Sequence, residues 1–332
     1  MKELVKQLVE TYGPAGQEGR VRALIEGIIR PYVDASRVDA LGNLIALKRG
    51  SGGGKRLMIA AHMDEIGVVV THIDKKGFAR FGRVGGVQVQ TMVGGRVLFG
   101  NGAVGVIGWE KWLQSRGVPA WEELFIDVGA TSPDDSPVRV GDVGAFLRPF
   151  VDLGKRLVSK AMDDRIGCAV VIQALMEMKE SPNDVYFVFT AQEELGTRGA
   201  VVSAFGVEPE VGIAVDVTHI GDTPEARPMA VSLGKGPAIK VMDAGMVVNP
   251  AVKQWMIDVA EKEGIPYQLE VLEFGGTDAR SIQLSKAGVP AGCLSIPCRY
   301  VHSPSEMVDY EDVQGAVKLL RKLLESSPSF SS

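Results

Sequence analysis

Cysteine is scarce in this chain. The 332 residues include three cysteines, Cys168, Cys293 and Cys298, and none of them forms a CxxC pair. Cysteines that bind zinc or carry redox chemistry usually come in closely spaced pairs, and disulfide frameworks need more of them. We therefore expect reduced, partly buried thiols and no thiolate metal site.

Long apolar runs and one-sided charge are also missing. No run approaches membrane-spanning length, and the first segment, MKELVKQLVETYGPAG, scatters charges where a secretory signal needs an unbroken apolar stretch. The formal net charge is -5, with acids and bases interspersed, so no basic stripe suggests nucleic acid. We expect a cytoplasmic protein that binds neither nucleic acid nor membranes.

Apolar residues make up 45% of the chain, which is enough for a large core, and their pattern changes twice along the sequence. Residues 1–67 and 157–332 alternate strand-like and helix-like runs. This alternation predicts an α/β domain with a mostly parallel sheet sandwiched by helices. Residues 68–156 are Gly-punctuated and Val-rich, as in RVLFGNGAVGVIGW, and predict a small inserted β-rich domain.

Acids and histidines accompany several of these runs, and open α/β sheets place their sites at the carboxyl ends of strands. His62 ends the run RLMIAAH. Asp64 lies two residues further, on the same face of an extended segment, where it can accept the second ring proton of His62 and fix its tautomer. Asp163 and Asp164 precede an apolar helix, and because Asp164 suits a capping role, Asp163 is the spare carboxylate.

Three further positions carry charge next to apolar runs. Glu193 and Glu194 follow the run VYFVFT, and adjacent carboxylates repel each other unless a cation or a shared proton stabilises them. Asp216 interrupts an apolar strand, where a charge is costly unless it is paired or bound to a metal. His302 follows a strand and a proline-containing loop.

Together these positions offer nitrogen and oxygen ligands without cysteine, a set that suits two divalent ions bridged by one carboxylate. The set consists of His62, Asp163, Glu194, Asp216 and His302. Two such ions form a clamp that activates water and stabilises an oxyanion. Glu193, next to a ligand but left over, is the natural general base and acid. The remaining histidines, His72 and His219, are assigned mainly to structural or surface roles.

The motifs AHMDEIG, AMDDRIG, AQEELGTRGA, VDVTH, GGTDAR and SIPCRYVHS, taken in order, resemble the tetrahedral-aminopeptidase family of dinuclear metallopeptidases. This family includes glutamyl and leucyl aminopeptidases and proteins once labelled cellulase or endoglucanase. The resemblance begins at YGPAGQE and covers nearly the whole chain. It implies the two-metal exopeptidase fold, hydrolysis of N-terminal residues from peptides, and two divalent ions per subunit. The mixed nitrogen and oxygen ligands suit zinc or cobalt first, with manganese as a further choice.

The resemblance also implies roles for the metal ligands. Asp163 is expected to bridge the ions, with Glu194 and His302 on one ion and His62 and Asp216 on the other.

Further roles follow from the same resemblance. Asp64 is expected to orient His62, Glu193 to act as the catalytic base, and a cis peptide to join Asp163 to Asp164. The residues with implied places near the substrate are Thr277, Asp278, Arg299 and Tyr300. The insert at 68–156 is expected to join subunits into a dimer building block and on into dodecamers.

Three other readings compete with the aminopeptidase. A deacylase or amidohydrolase would use the same two-metal scaffold, and an acetylated substrate N-terminus distinguishes it. A glycosidase needs two carboxylic groups across a sugar bond and normally no metal pair, which disfavours the endoglucanase label. A catalytically silent binding protein would have lost ligand or base positions, whereas all of them are intact here.

Overall fold

The structure is a computed structural model that describes residues 1–114 and 117–328. Within these ranges the chain forms seven α-helices, which are α1 (Lys2–Glu10), α2 (Gly19–Ile29), α3 (Met162–Glu177), α4 (Arg198–Val207), α5 (Pro250–Lys262), α6 (Asp278–Gln283) and α7 (Tyr310–Leu324). The strands are β1 (Ala35–Val38), β2 (Leu44–Lys48), β3 (Arg56–His62), β4 (Gly67–Ile73), β5 (Ala79–Val84), β6 (Arg96–Phe99), β7 (Val104–Trp109), β8 (Leu124–Asp127), β9 (Val143–Phe146), β10 (Val151–Asp152), β11 (Arg156–Ser159), β12 (Asp184–Thr190), β13 (Val211–Thr218), β14 (Ala238–Met242), β15 (Gln268–Val271), β16 (Ala291–Arg299) and β17 (Glu306–Asp309). None of the described helices is both long and apolar enough to span a membrane.

The large sheet is mixed. Its strands follow the order β1-β2-β12-β3-β13-β16-β17-β11-β10, with β14 beside β16 and β15 beside β14. The four central strands β12, β3, β13 and β16 are parallel, but both flanks pair antiparallel. The expectation of a mostly parallel sheet is therefore wrong outside the centre. The flanks contain short hairpins such as β1–β2 and β10–β11, which need only a tight turn and leave a weak pattern in the sequence.

Helices cover both faces of this sheet, as the alternating pattern predicts. Successive side chains of a strand point to opposite faces. On β3, Leu57, Ile59 and Ala61 enter the core that contains α1, α2, α3, α5 and α7. Met58 and Ala60, one position out of phase, enter the core beneath α4 and α6.

Most of the Val-rich segment folds separately from the sheet, but its last residues, β10 and the start of β11, pair within the large sheet. Strands β4 to β9 close into a six-stranded barrel in the order β4-β5-β8-β7-β6-β9. Its interior is filled by apolar side chains such as Val68, Phe81, Val97 and Ile107. The predicted β-rich character is confirmed. Closure was not predicted, and it matters because it removes the unpaired strand edges that an open sheet would expose.

Arg165, near the start of α3, ties the N-terminal segment to the centre of the molecule. Its side chain is fully buried. One terminal nitrogen donates to the carbonyls of Leu8 at 2.8 Å and Thr11 at 3.0 Å, the other donates to the carbonyl of Gly13 at 3.0 Å, and Nε donates to the carbonyl of Met63. One guanidinium thus binds four carbonyls from two separate segments, Leu8 to Gly13 and Met63.

Replacing Arg165 with methionine should therefore lower the free energy of unfolding by about 3 kcal/mol or more, because several buried carbonyls lose their donors. Denaturant-induced unfolding measures the change. Arg30→Met is the matched control, since Arg30 is exposed, and should change stability by no more than about 0.5 kcal/mol. Equal losses in the two variants would contradict the assigned tether.

Candidate active site

The parallel strands bring several of the predicted site residues to one edge of the sheet. Thr190, the last residue of β12, pairs with His62, the last residue of β3. Ala60 of β3 pairs with Ala214 of β13, so Asp216, two residues further along β13, is level with His62. This register explains how positions far apart in the sequence come together at the carboxyl ends of adjacent strands.

Asp163 occupies the centre of the cluster. Its Oδ1 lies 2.9 Å from Nε2 of His62, and that nitrogen is 3.9 Å from Oδ1 of Asp216. Its Oδ2 lies 3.4 Å from Nε2 of His302, and that nitrogen is 3.3 Å from Oε2 of Glu194. All five predicted ligand side chains are thus brought together, in two groups that face different oxygens of Asp163.

Asp164 is a second carboxylate that lies close enough to be a candidate metal ligand. A carboxylate oxygen of Asp164 lies within 4.8 Å of ligand atoms of His62 and Asp216. Both of its oxygens are engaged elsewhere, however, because Oδ1 accepts the backbone N–H of Gly167 at 3.0 Å and Oδ2 accepts that of His62 at 3.3 Å. Asp164 therefore acts near the helix start, while the oxygens of Asp163 face side chains. The peptide bond between them is cis.

The cluster attracts positive charge. Burial, reinforced by the charge of Asp163 against the opposing charge of His62, raises the pKa of Asp216 well above its ordinary value. Burial likewise raises the pKa of Glu194, whose Oε1 is buried without a hydrogen-bond partner among the described residues. Burial alone would lower the pKa of His302, but Glu194 and Asp163 raise it to about 12. Crowded nitrogen and oxygen donors of this kind fit divalent cations.

Asp64 lies buried beneath the glutamate pair. The ring atom Nδ1 of His62 is 3.1 Å from the backbone carbonyl of Asp64 and 3.5 Å from its Oδ1, so the carbonyl is the nearer partner for the ring proton. The two carboxylate oxygens of Asp64 instead accept the backbone N–H groups of Glu193 at 2.9 Å and Glu194 at 3.0 Å. The sequence suggested only the contact with the ring.

The carboxylate of Glu193 lines the cleft in front of the cluster and makes no hydrogen bond within the described part of the chain. Burial comes first among the causes that raise its pKa, followed, against the charge of His62, by the carboxylates of Asp216 and Asp278. A carboxylate with a raised pKa is a stronger base than a free one. Its position and its environment both suit proton transfer.

The cleft has a volume of about 280 Å³, and one of the four residues with implied substrate roles lines it. This residue is Thr277, which also caps α6 by accepting the N–H of Ala279 at 3.3 Å. Asp278 is buried behind the wall and accepts a hydrogen bond from Thr190 at 2.5 Å. Asp278 acts on the cleft through its charge, which contributes to the raised pKa of Glu193.

The other two residues with implied substrate roles lie outside the cleft. Arg299 donates through Nε to Asp222 at 2.9 Å, and Tyr300 is exposed. Among the histidines, His72 is exposed as predicted. His219, assigned mainly to a structural or surface role, does line the cleft, with its ring centroid 5.0 Å from that of Phe274.

The barrel contributes a wall that the sequence did not predict. The backbone of Gly86, just after β5, packs so closely against His302 that a β-carbon at this position would lie 2.4 Å from Nδ1 of the ring.

Lys240 of β14, in the large sheet, also lines the cleft. A glycine pair and a lone lysine in a strand have many ordinary explanations, so only the folded chain reveals these contacts.

Several proteins of similar sequence or structure are named aminopeptidases or peptidases. The chain is 38% identical to a lysyl aminopeptidase of Pyrococcus furiosus over 338 residues, covering 97% of this chain and 96% of the relative. It superposes with a TM-score of 0.94 on the aminopeptidase APDkam598 of Desulfurococcus kamchatkensis, at 42% identity, covering 98% and 95% of the two chains. It also superposes on the TET1 peptidase of Pyrococcus horikoshii, described as able to assemble into a tetrahedron or a large octahedral shell, with a TM-score of 0.87, 33% identity and coverage of 97% and 98%.

The fold and these relatives define the class: the protein is a metal-dependent aminopeptidase, a hydrolase of peptide bonds. The model of one family, described as M42 glutamyl aminopeptidase, matches residues 42–319. The chain belongs to this family, and the resemblance inferred from its motifs is confirmed.

The contact between Gly86 and His302 yields a direct test. In Gly86→Ala the added methyl group must displace the ring or the barrel segment, and we expect aminopeptidase activity to fall by about a hundredfold, as small misplacements at active sites do. The control is Gly82→Ala on β5, where the nearest atoms to a β-carbon are 3.5 Å away. Rates on an aminoacyl chromogenic substrate decide, and unchanged activity in Gly86→Ala would show that the contact is dispensable.

Proposed function

We propose that the protein is a two-metal aminopeptidase whose ions are held by His62, Asp163, Glu194, Asp216 and His302. The observation that carries the proposal is the position of Asp163, whose two oxygens face separate groups of donors. Asp163 would then be the ligand that both ions share. Glu194 and His302 would complete one site, and His62 and Asp216 would complete the other.

When bound, the ions supply an activated water and positive charge for the developing oxyanion. Glu193 takes the proton from the attacking water on its carboxylate and delivers it to the leaving amine. Asp64 holds the backbone of Glu193 and Glu194 in place through their N–H groups. The backbone carbonyl and the carboxylate of Asp64 together orient the His62 ring.

The donor set restricts the choice of ions to a few divalent metals. Two histidines and three carboxylates without cysteine suit zinc or cobalt, and manganese is a further choice, because mixed nitrogen and oxygen donors do not discriminate strongly among these metals. We propose two such ions per subunit.

The substrates we propose are peptides with a free N-terminus. Thr277, on the cleft wall, is placed to contact them. Any contribution of Asp278 is indirect, through its charge on Glu193. Arg299 and Tyr300 could contact the substrate only if the loop between β16 and β17 moved towards the cleft. A deacylase or amidohydrolase reaction on the same scaffold is the alternative, and the similarity to aminopeptidases disfavours it.

We further propose that residues 68–156 form an oligomerisation domain inserted into a catalytic domain of residues 1–67 and 157–332. The barrel has a core of its own and exposes Trp112, Leu113 and Val118 on its surface. Large contiguous patches of exposed apolar groups mark interaction surfaces, and Trp112 and Val118 line one shared surface depression. The assemblies of the Pyrococcus horikoshii peptidase support a homo-oligomer, and we propose a dimer as its building block and a dodecamer as the larger form. A cytoplasmic location stays a prediction from the sequence.

Metal removal tests the reaction. Protein stripped with a chelator should lose activity on aminoacyl chromogenic substrates and regain it with zinc, cobalt or manganese, because the activated water depends on the ions. Matched N-acetylated peptides serve as the control and should remain intact. Cleavage of the acetylated peptides would favour the deacylase, and metal-independent cleavage would overturn the two-metal proposal.

The role of Glu193 has a separate test. Glu193→Gln keeps the size of the side chain and removes the base, so turnover should fall by a factor of about 100 to 10,000 while two ions per subunit remain bound. Metal content is measured by elemental analysis alongside kcat. Glu177→Gln, an exposed glutamate on α3, is the matched control. Retained turnover in Glu193→Gln would remove this residue from the mechanism.

A further inference from the structure

Glu306 is a buried carboxylate beside the proposed metal ligands, and no role in the reaction described above requires it. It is the first residue of β17, and only 1% of its surface is exposed. Its Oε1 accepts the backbone N–H of His302 at 2.8 Å, and its Oε2 accepts the backbone N–H of Asp163 at 3.0 Å. One side chain therefore joins the backbones of two residues that are 139 positions apart in the sequence.

Both of these backbones are irregular, and regular secondary structure does not hold them. His302 lies in the loop between β16 and β17 with a left-handed φ of 63°, which is uncommon for a residue other than glycine. Asp163 has non-helical dihedral angles, φ -77° and ψ 105°, inside the first turn of α3. Conformations of this kind persist where surrounding contacts fix them.

The carboxylate is suited to this task because it offers two acceptor oxygens and no donor. An amide in its place would present its NH2 group, which is a donor, to one of the two N–H groups. In the described ranges no lysine or arginine forms an ion pair with Glu306, and the buried Lys160 binds Glu65 instead, at 2.7 Å. The two backbone N–H groups are therefore the contacts that account for its place.

The same arrangement recurs on the other side of the cluster. Asp64 uses its two oxygens to hold the N–H groups of Glu193 and Glu194. Asp64 and Glu306 together fix the backbones of four residues of the proposed site. Carboxylates that support metal ligands in this way typically contribute a factor of about 10 to 100 in metal affinity.

We propose that Glu306 is a positioning residue of the metal centre: it sets the spacing between the backbones of Asp163 and His302 and thereby the affinity of the centre for its ions. The inference rests on the proposed ligand set. It assigns Glu306 no contact with substrate, and it predicts that the affinity for metal, rather than the affinity for peptide, depends on this side chain.

The test is metal binding by the full-length protein. Glu306→Gln should raise the dissociation constant for zinc or cobalt by a factor of about 10 to 100, measured by competition with a chromophoric chelator. Its kcat should recover as the metal concentration is raised, and KM for an aminoacyl substrate should stay within about twofold of wild type, because uniform binding of substrate is untouched.

Asp312→Asn is the matched control. Asp312 is also a buried carboxylate that accepts two backbone N–H groups, from Gly234 and Gly236, both at 2.7 Å, and none of these three residues lines the cleft. We expect the metal-free forms of both variants to lose thermal stability, with a change in metal affinity only in Glu306→Gln. An unchanged dissociation constant in Glu306→Gln, or an equal change in Asp312→Asn, would overturn the proposal.

Two further variants keep the outcomes separate. Glu306→Asp keeps the two acceptors on a shorter stem and should bind metal with intermediate affinity, and it serves as the test if Glu306→Gln does not fold. His62→Ala should abolish binding of one ion. If His62→Ala binds both ions normally, the proposed ligand set fails. If it loses an ion while both Glu306 variants bind like wild type, only the positioning role fails.

Discussion

Repulsion among buried carboxylates is the constraint around which this structure is organised. Asp163, Glu194 and Asp216 project towards one another at the carboxyl ends of parallel strands, in an environment that raises the pKa of Glu194 and Asp216. Such a cluster is unfavourable unless positive charge enters it or protons neutralise it. Two histidines at its edge, His62 and His302, and backbone N–H groups held by neighbouring acids let the cluster persist in a folded chain. The register of the parallel strands keeps these groups together. The similarity to aminopeptidases indicates the activity for which such a cluster is used.

The sequence predicts secondary structure and site residues best where an apolar pattern is long or where a charged residue interrupts or ends an apolar run. The helix Tyr310–Leu324 can be recognised in the sequence because its apolar residues recur at helical spacing, and the strand Leu44–Lys48 because it begins with a run of four apolar residues. The short strands β10, β11 and β17 escaped prediction because two to four residues are too few to show a period. β11 pairs with β17, which lies about 150 residues further along the chain, and β10 joins this pair only through its hairpin with β11. Their antiparallel directions contribute to the mixed sheet.

The candidate site divides in a similar way. Its five proposed ligands and Glu193 were identifiable because each is a charged or imidazole side chain next to an apolar run. Glu306 and Gly86 were not, since their contacts are with the backbone or the ring of residues that become neighbours only after folding. The same limit applies to Asp64, for which the sequence indicates a partner two residues away but not the N–H groups more than a hundred residues away.

The contact between Gly86 and the ring of His302 joins parts of the chain that otherwise have separate cores. The histidine belongs to a loop beside the large sheet, whereas the surface it rests on belongs to the barrel segment. The site is thus composite: neither part contains all of its walls. A chain cut down to the large sheet and its helices would keep every proposed ligand and still lack the surface that supports one of them. Evolutionary exchange of the barrel for another insert is accordingly restricted to inserts that bring a side-chain-free backbone to the same point.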